Sequence, residues 1–240
     1  MFKCQKANMD KELDSSRGDY IATIAKASLG AIPVVGSLLA ELAGSVIPNQ
    51  RIDRLTKFAR QLEARLGTIE QSKLAQQFAD PDCADLIEES MRQAASAVTD
   101  ERQNYIATLL AKSLTYEEVS HQESKHLLKI LGDLSDAEII WLRSYLDTAL
   151  DEDIEFRELH AAVLKPPVAC FGASQPDIDG STIAESYKNH LARLGLLQER
   201  FKLDSKTNQL KVDRDGVVEK NYPKITLSGR LLLRLIGLSK

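Results

Sequence analysis

Signals that start helices recur at short intervals through the middle of this chain, and they constrain its fold more than any other feature. Asp80-Pro81 combines an N-cap residue with a first-turn proline, and Ser135–Glu138 has the spacing of a capping box. Thr99 precedes a further segment with apolar residues on one helical face. Another apolar stripe at helical spacing consists of Ile52, Leu55, Leu62 and Leu66. The sequence therefore predicts a mostly α protein with short loops.

The pattern changes in the C-terminal part of the chain. A loop is predicted for GASQPDIDGS (172–181), followed by a helix over 182–194. Two β-like runs, LLQERFKL (196–203) and QLKV (209–212), then form a predicted hairpin, and a last helix covers 226–236. This order of helices, hairpin and helix is that of a winged-helix domain.

These patterns predict two folded regions, which suits a length of 240 residues. Residues 1–18 form a polar, flexible lead. Residues 19–134 form a helical bundle, and residues 135–240 form a winged-helix-like domain with a small β-hairpin.

Charge is distributed unevenly along the chain. The net charge is −4, which excludes a nucleic-acid binder driven by bulk charge, but residues 181–240 carry 12 basic and 6 acidic residues. The predicted helix and wing supply nucleic-acid-contact candidates, namely Lys188, Asn189, Arg193, Arg200, Lys202 and Lys206. Because carboxylates such as Glu185 and Glu199 lie among them, a protein-binding or purely structural module remains the alternative.

A second candidate surface lies near the N-terminus. Ala27–Ala40 contains fourteen residues without a charge, too few to span a bilayer but enough for a buried or membrane-inserting hairpin. Small residues recur every fourth position, and basic residues follow every third; the set is Gly36, Ala40, Gly44, Arg51, Arg54, Lys57 and Arg60. An apolar hairpin before a basic amphipathic helix suits an anionic membrane. The alternative is a soluble hairpin with a solvated basic face.

The sequence indicates neither catalytic nor metal chemistry. It contains no GxSxG elbow, P-loop, GxGxxG motif or Arg-x(4–6)-His ribonuclease signature, and His121 and His126 have the wrong spacing for a shared metal. The three cysteines, Cys4, Cys83 and Cys170, show no ligand or disulfide spacing. The N-terminus lacks the apolar region of a secretory signal, so a cytoplasmic protein is expected. No cofactor is expected either, because no cofactor-binding motif is present.

Four segments in order resemble the bacterial Abi-alpha family, whose name denotes abortive infection. They are GAIPVVGSLLAEL (30–42), Glu101–Leu146, YKNHLARLGLL (Tyr187–Leu197) and ITLSGRLLLRLIG (Ile225–Gly237). The resemblance covers about two-thirds of the chain. Tyr105 stands where the family has tryptophan and Lys112 where it has asparagine. The resemblance implies a phage-triggered arrest of the host cell and carries over no catalytic residue.

These observations favour a non-enzymatic prokaryotic defence protein that acts on the inner membrane through residues 27–66. One alternative is a winged-helix regulator that binds DNA. Another is a protein–protein module, including a homo-oligomer. No small-molecule substrate is indicated, and the expected location is the cytoplasm, peripheral to the inner membrane.

Overall fold

The protein is mostly helical, with one small antiparallel hairpin, as the sequence predicts. The computed structural model describes residues 51–66, 74, 76–77, 80–115, 119–146, 153–167, 170, 172–204, 209–212, 216 and 218–239. The lead predicted over residues 1–18 and the uncharged segment Ala27–Ala40 lie outside these residues. The chain divides into two compact units between Lys129 and Ile130, whereas the sequence placed the boundary after residue 134.

Four helices form the described part of the N-terminal unit. They are α1 (Ile52–Leu66), α2 (Pro81–Ser96), α3 (Asp100–Thr115) and α4 (His121–Asp133), the last of which runs past the division. The predicted N-cap of α2 is confirmed, since the Asp80 carboxylate accepts a hydrogen bond of 3.1 Å from the Asp82 amide. The Thr99 hydroxyl caps α3 by accepting from the Arg102 amide.

The boundaries of α4 are set by local hydrogen bonds at its start. Residues 119 and 120 are not helical, and α4 begins at His121. Ser120 and Glu123 bond each other reciprocally: the Ser120 amide donates to Glu123 and the Glu123 amide donates to the Ser120 hydroxyl. This capping box fixes the start, and Gly132 lies inside the last turn.

The core of the N-terminal unit lies between α1, α2 and α3, which all contact one another. Side chains from every one of these helices are fully buried, including Leu55, Phe58, Leu62, Leu86, Ile87, Met91, Ile106 and Leu109. Burial of such side chains supplies most of the stability of a helical unit, because each contributes roughly 1.5–3 kcal/mol relative to exposure. Leu55, Leu62 and Leu66 of the apolar stripe predicted for α1 therefore lie on its core face.

The thiol of Cys83 is expected to resist modification while the protein is folded. Cys83 is buried in α2, and burial, with the nearby Asp80 carboxylate, raises the pKa of its thiol to about 12. Cys170 is exposed. In a Cys4→Ser variant at mildly alkaline pH, the Cys170 thiol should react with a disulfide reagent about a hundred times faster than the Cys83 thiol. Equal rates in the native protein would contradict this burial, whereas equal rates in urea are expected.

The C-terminal unit contains five further helices and the hairpin within the described residues. Its elements are α5 (Asp136–Ser144), α6 (Ile154–Leu159), α7 (Ala161–Leu164), α8 (Gln175–Arg193), β1 (Leu197–Phe201), β2 (Lys220–Ile225) and α9 (Leu227–Leu235). The capping box predicted at Ser135–Glu138 is confirmed, with both reciprocal bonds present. His160 separates α6 from α7.

The start of α8 differs from the sequence prediction. Residues 175–181 belong to the helix, although their Gly, Pro and Asp content predicts a loop. Pro176 lies in the first turn, where its missing amide proton is not needed. Gly180 lies against the Pro167 ring, since a Cβ at Gly180 would be 3.3 Å from the proline Cδ. The Pro167 ring therefore leaves little room for a side chain at this helical position.

The strand that pairs with β1 also differs from the prediction. β1 pairs antiparallel with β2, from Leu197 opposite Ile225 to Phe201 opposite Lys220. The run QLKV contributes only isolated bridges, Leu203 with Leu210 and Val212 with Val218. β2 contains Pro223, and a proline argues against a strand because it has no amide proton to donate. The register shifts beside Pro223, so this residue is not one of the paired positions.

The core of the C-terminal unit forms where α8 contacts α5 and β1, while α7 covers another part of α5. The Thr226 hydroxyl donates to the Gly195 carbonyl and caps α9 by accepting from the Gly229 amide, which joins α9 to the end of α8. Gly195 has φ +72°, a left-handed conformation that glycine adopts without steric cost. Among the described helices, none is long and apolar enough to cross a membrane.

Candidate functional site

The basic residues of the predicted membrane surface make bonds inside the N-terminal unit. Arg51 donates to the Ser96 hydroxyl over 2.8 Å, and Arg54 donates to the Ala95 carbonyl over 3.3 Å. Lys57 forms an ion pair with Asp100 at the start of α3. Two of these cations therefore lie at the C-terminus of α2, where they complement its dipole. The fourth, Arg60, is exposed, and Gly36, Ala40 and Gly44 lie outside the described residues.

The nucleic-acid candidates fall on different surfaces of the C-terminal unit. Lys188 and Asn189 face a cavity, whereas Arg193 is exposed on α8. Lys202 bonds Glu219, and Glu219 also holds Lys211. These two lysines lower the pKa of the Glu219 carboxyl by bonding it. Arg200 lies at the edge of the cavity, and Lys206 lies outside the described residues. Of the five candidates that the structure describes, Lys188, Asn189 and Arg200 line one cavity, whereas Arg193 and Lys202 are not part of its lining.

A cavity of about 590 Å³ opens between α5, α8 and the hairpin. Its aromatic wall starts at Trp141, whose ring centroid is 6.3 Å from that of Tyr145. Tyr145 in turn contacts Tyr222 of β2, with 4.9 Å between their centroids. Trp141 and Tyr145 are almost completely buried, while Tyr222 is 53 % exposed and presents its ring at the opening. Burial raises the pKa of Tyr145 far above its usual range, so its hydroxyl stays protonated.

Positive charge predominates around this cavity. Seven charged side chains line it, the cations Arg157, Lys165, Lys188, Arg200 and Lys220 and the carboxylates Glu185 and Glu199. Lys220 bonds Glu199 over 2.8 Å, and this bond raises the pKa of the lysine. Lys188 is only 3.7 Å from Glu185. The carboxylates therefore neutralise two cations locally and leave the lining with three positive charges in excess.

Two buried donors in the wall have no hydrogen-bond acceptor among the described residues. They are the indole Nε1 of Trp141 and the guanidinium Nε of Arg157. Arg157 donates through Nη2 to the Ser144 carbonyl over 2.7 Å, which holds the side chain against α5. Lys188 covers the Trp141 ring, with its Nζ 4.9 Å from the ring centroid. Unpaired buried donors cost free energy in a folded protein, and both of these atoms are shielded from solvent by the surrounding side chains.

Glu138 and His190 form a hydrogen-bonded pair between two of the helices that line the cavity. The Glu138 carboxylate lies 2.6 Å from Nδ1 of His190 and also accepts from the Ser135 amide. The pair thereby ties the start of α5 to the C-terminal half of α8. A bidentate ion pair between Arg143 and Asp153 similarly joins α5 to the start of α6. The elements that carry Trp141, Arg157 and Lys188 are therefore held together by polar bonds as well as by apolar packing.

Sequence reasoning identified Lys188 and Arg200 but missed the cavity itself. Its wall combines residues from 141 to 223, and no short motif links them. The aromatic residues Trp141 and Tyr145, four positions apart on α5, are a local signal that the sequence does contain. No protein-family model, no curated protein and no solved structure matches this chain.

Proposed function

We propose that the protein is a non-enzymatic prokaryotic defence protein of the abortive-infection type. In this proposal residues 27–50 act on the inner membrane, and the helical N-terminal unit anchors them. The order of the four segments that resemble the Abi-alpha family supports the assignment. The C-terminal unit, with its winged-helix-like order of elements, serves as a binding module.

The observation that carries the proposal is the attachment of α1, the helix that directly follows residues 27–50. Its side chains Leu55, Phe58, Leu62 and Leu66 are fully buried. Its cations Arg51 and Arg54 bond the C-terminal end of α2. The helix is therefore firmly attached to the unit, and the segment before it contains the uncharged stretch Ala27–Ala40, which suits a lipid surface.

The bonds made by the basic residues of the N-terminal unit limit which part of residues 27–66 can act on a membrane. Three of the four basic residues predicted to face anionic lipid are engaged within the unit, so electrostatic attraction through α1 is weak in this arrangement. Membrane action then depends mainly on the apolar residues 27–50 and on close packing at Gly36, Ala40 and Gly44. Bulky side chains at two of these positions should prevent that packing.

Dye release from vesicles of phosphatidylethanolamine and phosphatidylglycerol tests the proposal on the full chain. The wild-type protein should release trapped dye, and the double variant Gly36→Leu/Gly44→Leu should release it about ten times more slowly. The matched control, Ser37→Leu/Ser45→Leu, adds the same side chains one position along and should behave like wild type. Equal release by all three proteins, or release by none, would refute the membrane mechanism.

A second candidate function is self-association through the wing. The last residue of β1 and the segment between β1 and β2 expose apolar side chains that are each about half accessible, namely Phe201, Leu203, Leu210 and Val212. A two-stranded sheet also leaves outer strand edges for pairing. These features favour contact with a second copy over contact with DNA. Light scattering should show a dimer that Leu203→Ser/Leu210→Ser converts to a monomer, and a monomeric wild-type chain would exclude this candidate.

A further inference from the structure

The cavity of the C-terminal unit presents chemistry that the membrane proposal does not use. It combines an aromatic wall and an excess of cations around one opening. Its volume of about 590 Å³ lies in the range of small-ligand sites, roughly 300–1,000 Å³. A ligand that complements it needs a flat ring, a negative charge and hydrogen-bond acceptors.

We propose that this cavity binds a nucleoside phosphate, with the base against the aromatic wall and the phosphate among the lining cations, which outnumber the lining carboxylates by three. Tyr222 offers an exposed ring face at the opening, and base–aromatic stacking contributes roughly 1–3 kcal/mol. The cations supply charge-assisted hydrogen bonds, which are stronger than neutral ones. The base of a nucleotide can stack on the aromatic wall while its phosphate pairs with the cations, so a single molecule complements both features.

Lys188 links the two halves of this site. Its ammonium covers the Trp141 ring and also lies near Glu185. A phosphate in the cavity attracts the ammonium more strongly than a ring face does, because the phosphate carries a full negative charge. Lys188 then moves off the indole, which uncovers Trp141 for contact with the base. Binding is therefore expected to change the surroundings of Trp141 directly.

Trp141 is the single tryptophan of the chain, so its fluorescence reports on this cavity alone. Titration of the full-length protein with AMP, GMP, CMP and UMP should quench it saturably, with a Kd of about 100 µM or tighter for at least one of them. Calorimetry on the same samples gives the affinity independently of the fluorescence. Adenosine and inorganic phosphate, each lacking one half of the ligand, should bind at least about ten times more weakly.

Matched variants locate the binding. Lys188→Met keeps an apolar side chain of similar length and should lower the affinity for nucleotide at least about tenfold. Arg193→Gln removes an exposed cation of the same helix that does not line the cavity, and its affinity should stay within about twofold of wild type. If Lys188→Met unfolds, Lys220→Met at the exposed edge replaces it, with the same expected loss.

Three outcomes would overturn the inference. They are no heat and no quenching up to about 5 mM nucleotide, equal affinity of Lys188→Met and wild type, and inorganic phosphate or an oligoglutamate peptide binding as tightly as the nucleotides. A 5′-phosphorylated single-stranded hexanucleotide distinguishes the sources of the ligand. Tighter binding of the strand than of AMP identifies the end of a nucleic acid, and equal binding identifies the free nucleotide. Vesicle leakage takes no part in these measurements, so this inference stands or fails separately from the membrane proposal.

Discussion

Replacing Phe58 with alanine is expected to destabilise the N-terminal unit by about 3–5 kcal/mol, the usual range for removing a buried phenylalanine. Phe58 is fully buried on the face of α1 that packs against α2 and α3. Both neighbours contribute large buried side chains of their own, so they cannot close around the missing ring without moving. The cavity left behind adds to the lost transfer free energy.

Cys83 supplies the measurement for this variant. Its thiol lies in the same core, so reagents reach it only when the unit opens. A loss of about 3–5 kcal/mol should make Cys83 react at least about a hundred times faster under native conditions. Arg60→Ala changes an exposed residue of the same helix and should alter the rate by less than about threefold. An unchanged rate in Phe58→Ala would show that α1 does not hold this core together.

Replacing Gly229 with alanine is expected to destabilise the C-terminal unit by about 2–3 kcal/mol, because the added methyl group has no space. A Cβ at this position would lie 2.5 Å from the Leu196 carbonyl oxygen and 2.9 Å from Cγ1 of Ile225. The Leu196 carbonyl also accepts from the Thr226 amide over 3.0 Å. A shift of the Leu196 carbonyl away from the methyl group would therefore weaken this hydrogen bond, which joins the end of α8 to the start of α9.

Urea unfolding followed through Trp141 fluorescence measures the effect of Gly229→Ala. Because this tryptophan belongs to the C-terminal unit, the transition it reports should shift to lower urea. Ser228→Ala, at the exposed neighbouring position, should shift the midpoint by an amount equivalent to less than about 0.5 kcal/mol. Coincident transitions for Gly229→Ala and the wild-type chain would contradict the close approach at Leu196.

Local signals explain why much of the helical fold can be predicted from the sequence. The starts of α2, α5 and α9 depend on side-chain caps only two or three residues away, at Asp80, Ser135 and Thr226. Such bonds form within one turn, so the sequence contains both partners side by side. The end of α8 is also marked locally, because a glycine in the left-handed conformation, Gly195, follows its C-cap directly.

Long-range packing explains what the sequence does not reveal. The start of α8 depends on Gly180 meeting Pro167, and the choice of β2 over QLKV depends on pairing across an intervening segment. The basic stripe of α1 is visible in the sequence, but its bonds to residues 95–100 are not. The cavity is hidden for the same reason, since Trp141 and Tyr222 are 81 positions apart.

A growth curve and a membrane-potential dye, read from one bacterial culture during induced expression of the full chain, test the proposed function most directly. The account predicts depolarisation that accompanies growth arrest, and loss of both effects in Gly36→Leu/Gly44→Leu but not in Ser37→Leu/Ser45→Leu. Expression levels are matched by immunoblot. Growth arrest at normal membrane potential, or normal growth and potential with the wild-type chain, would contradict it.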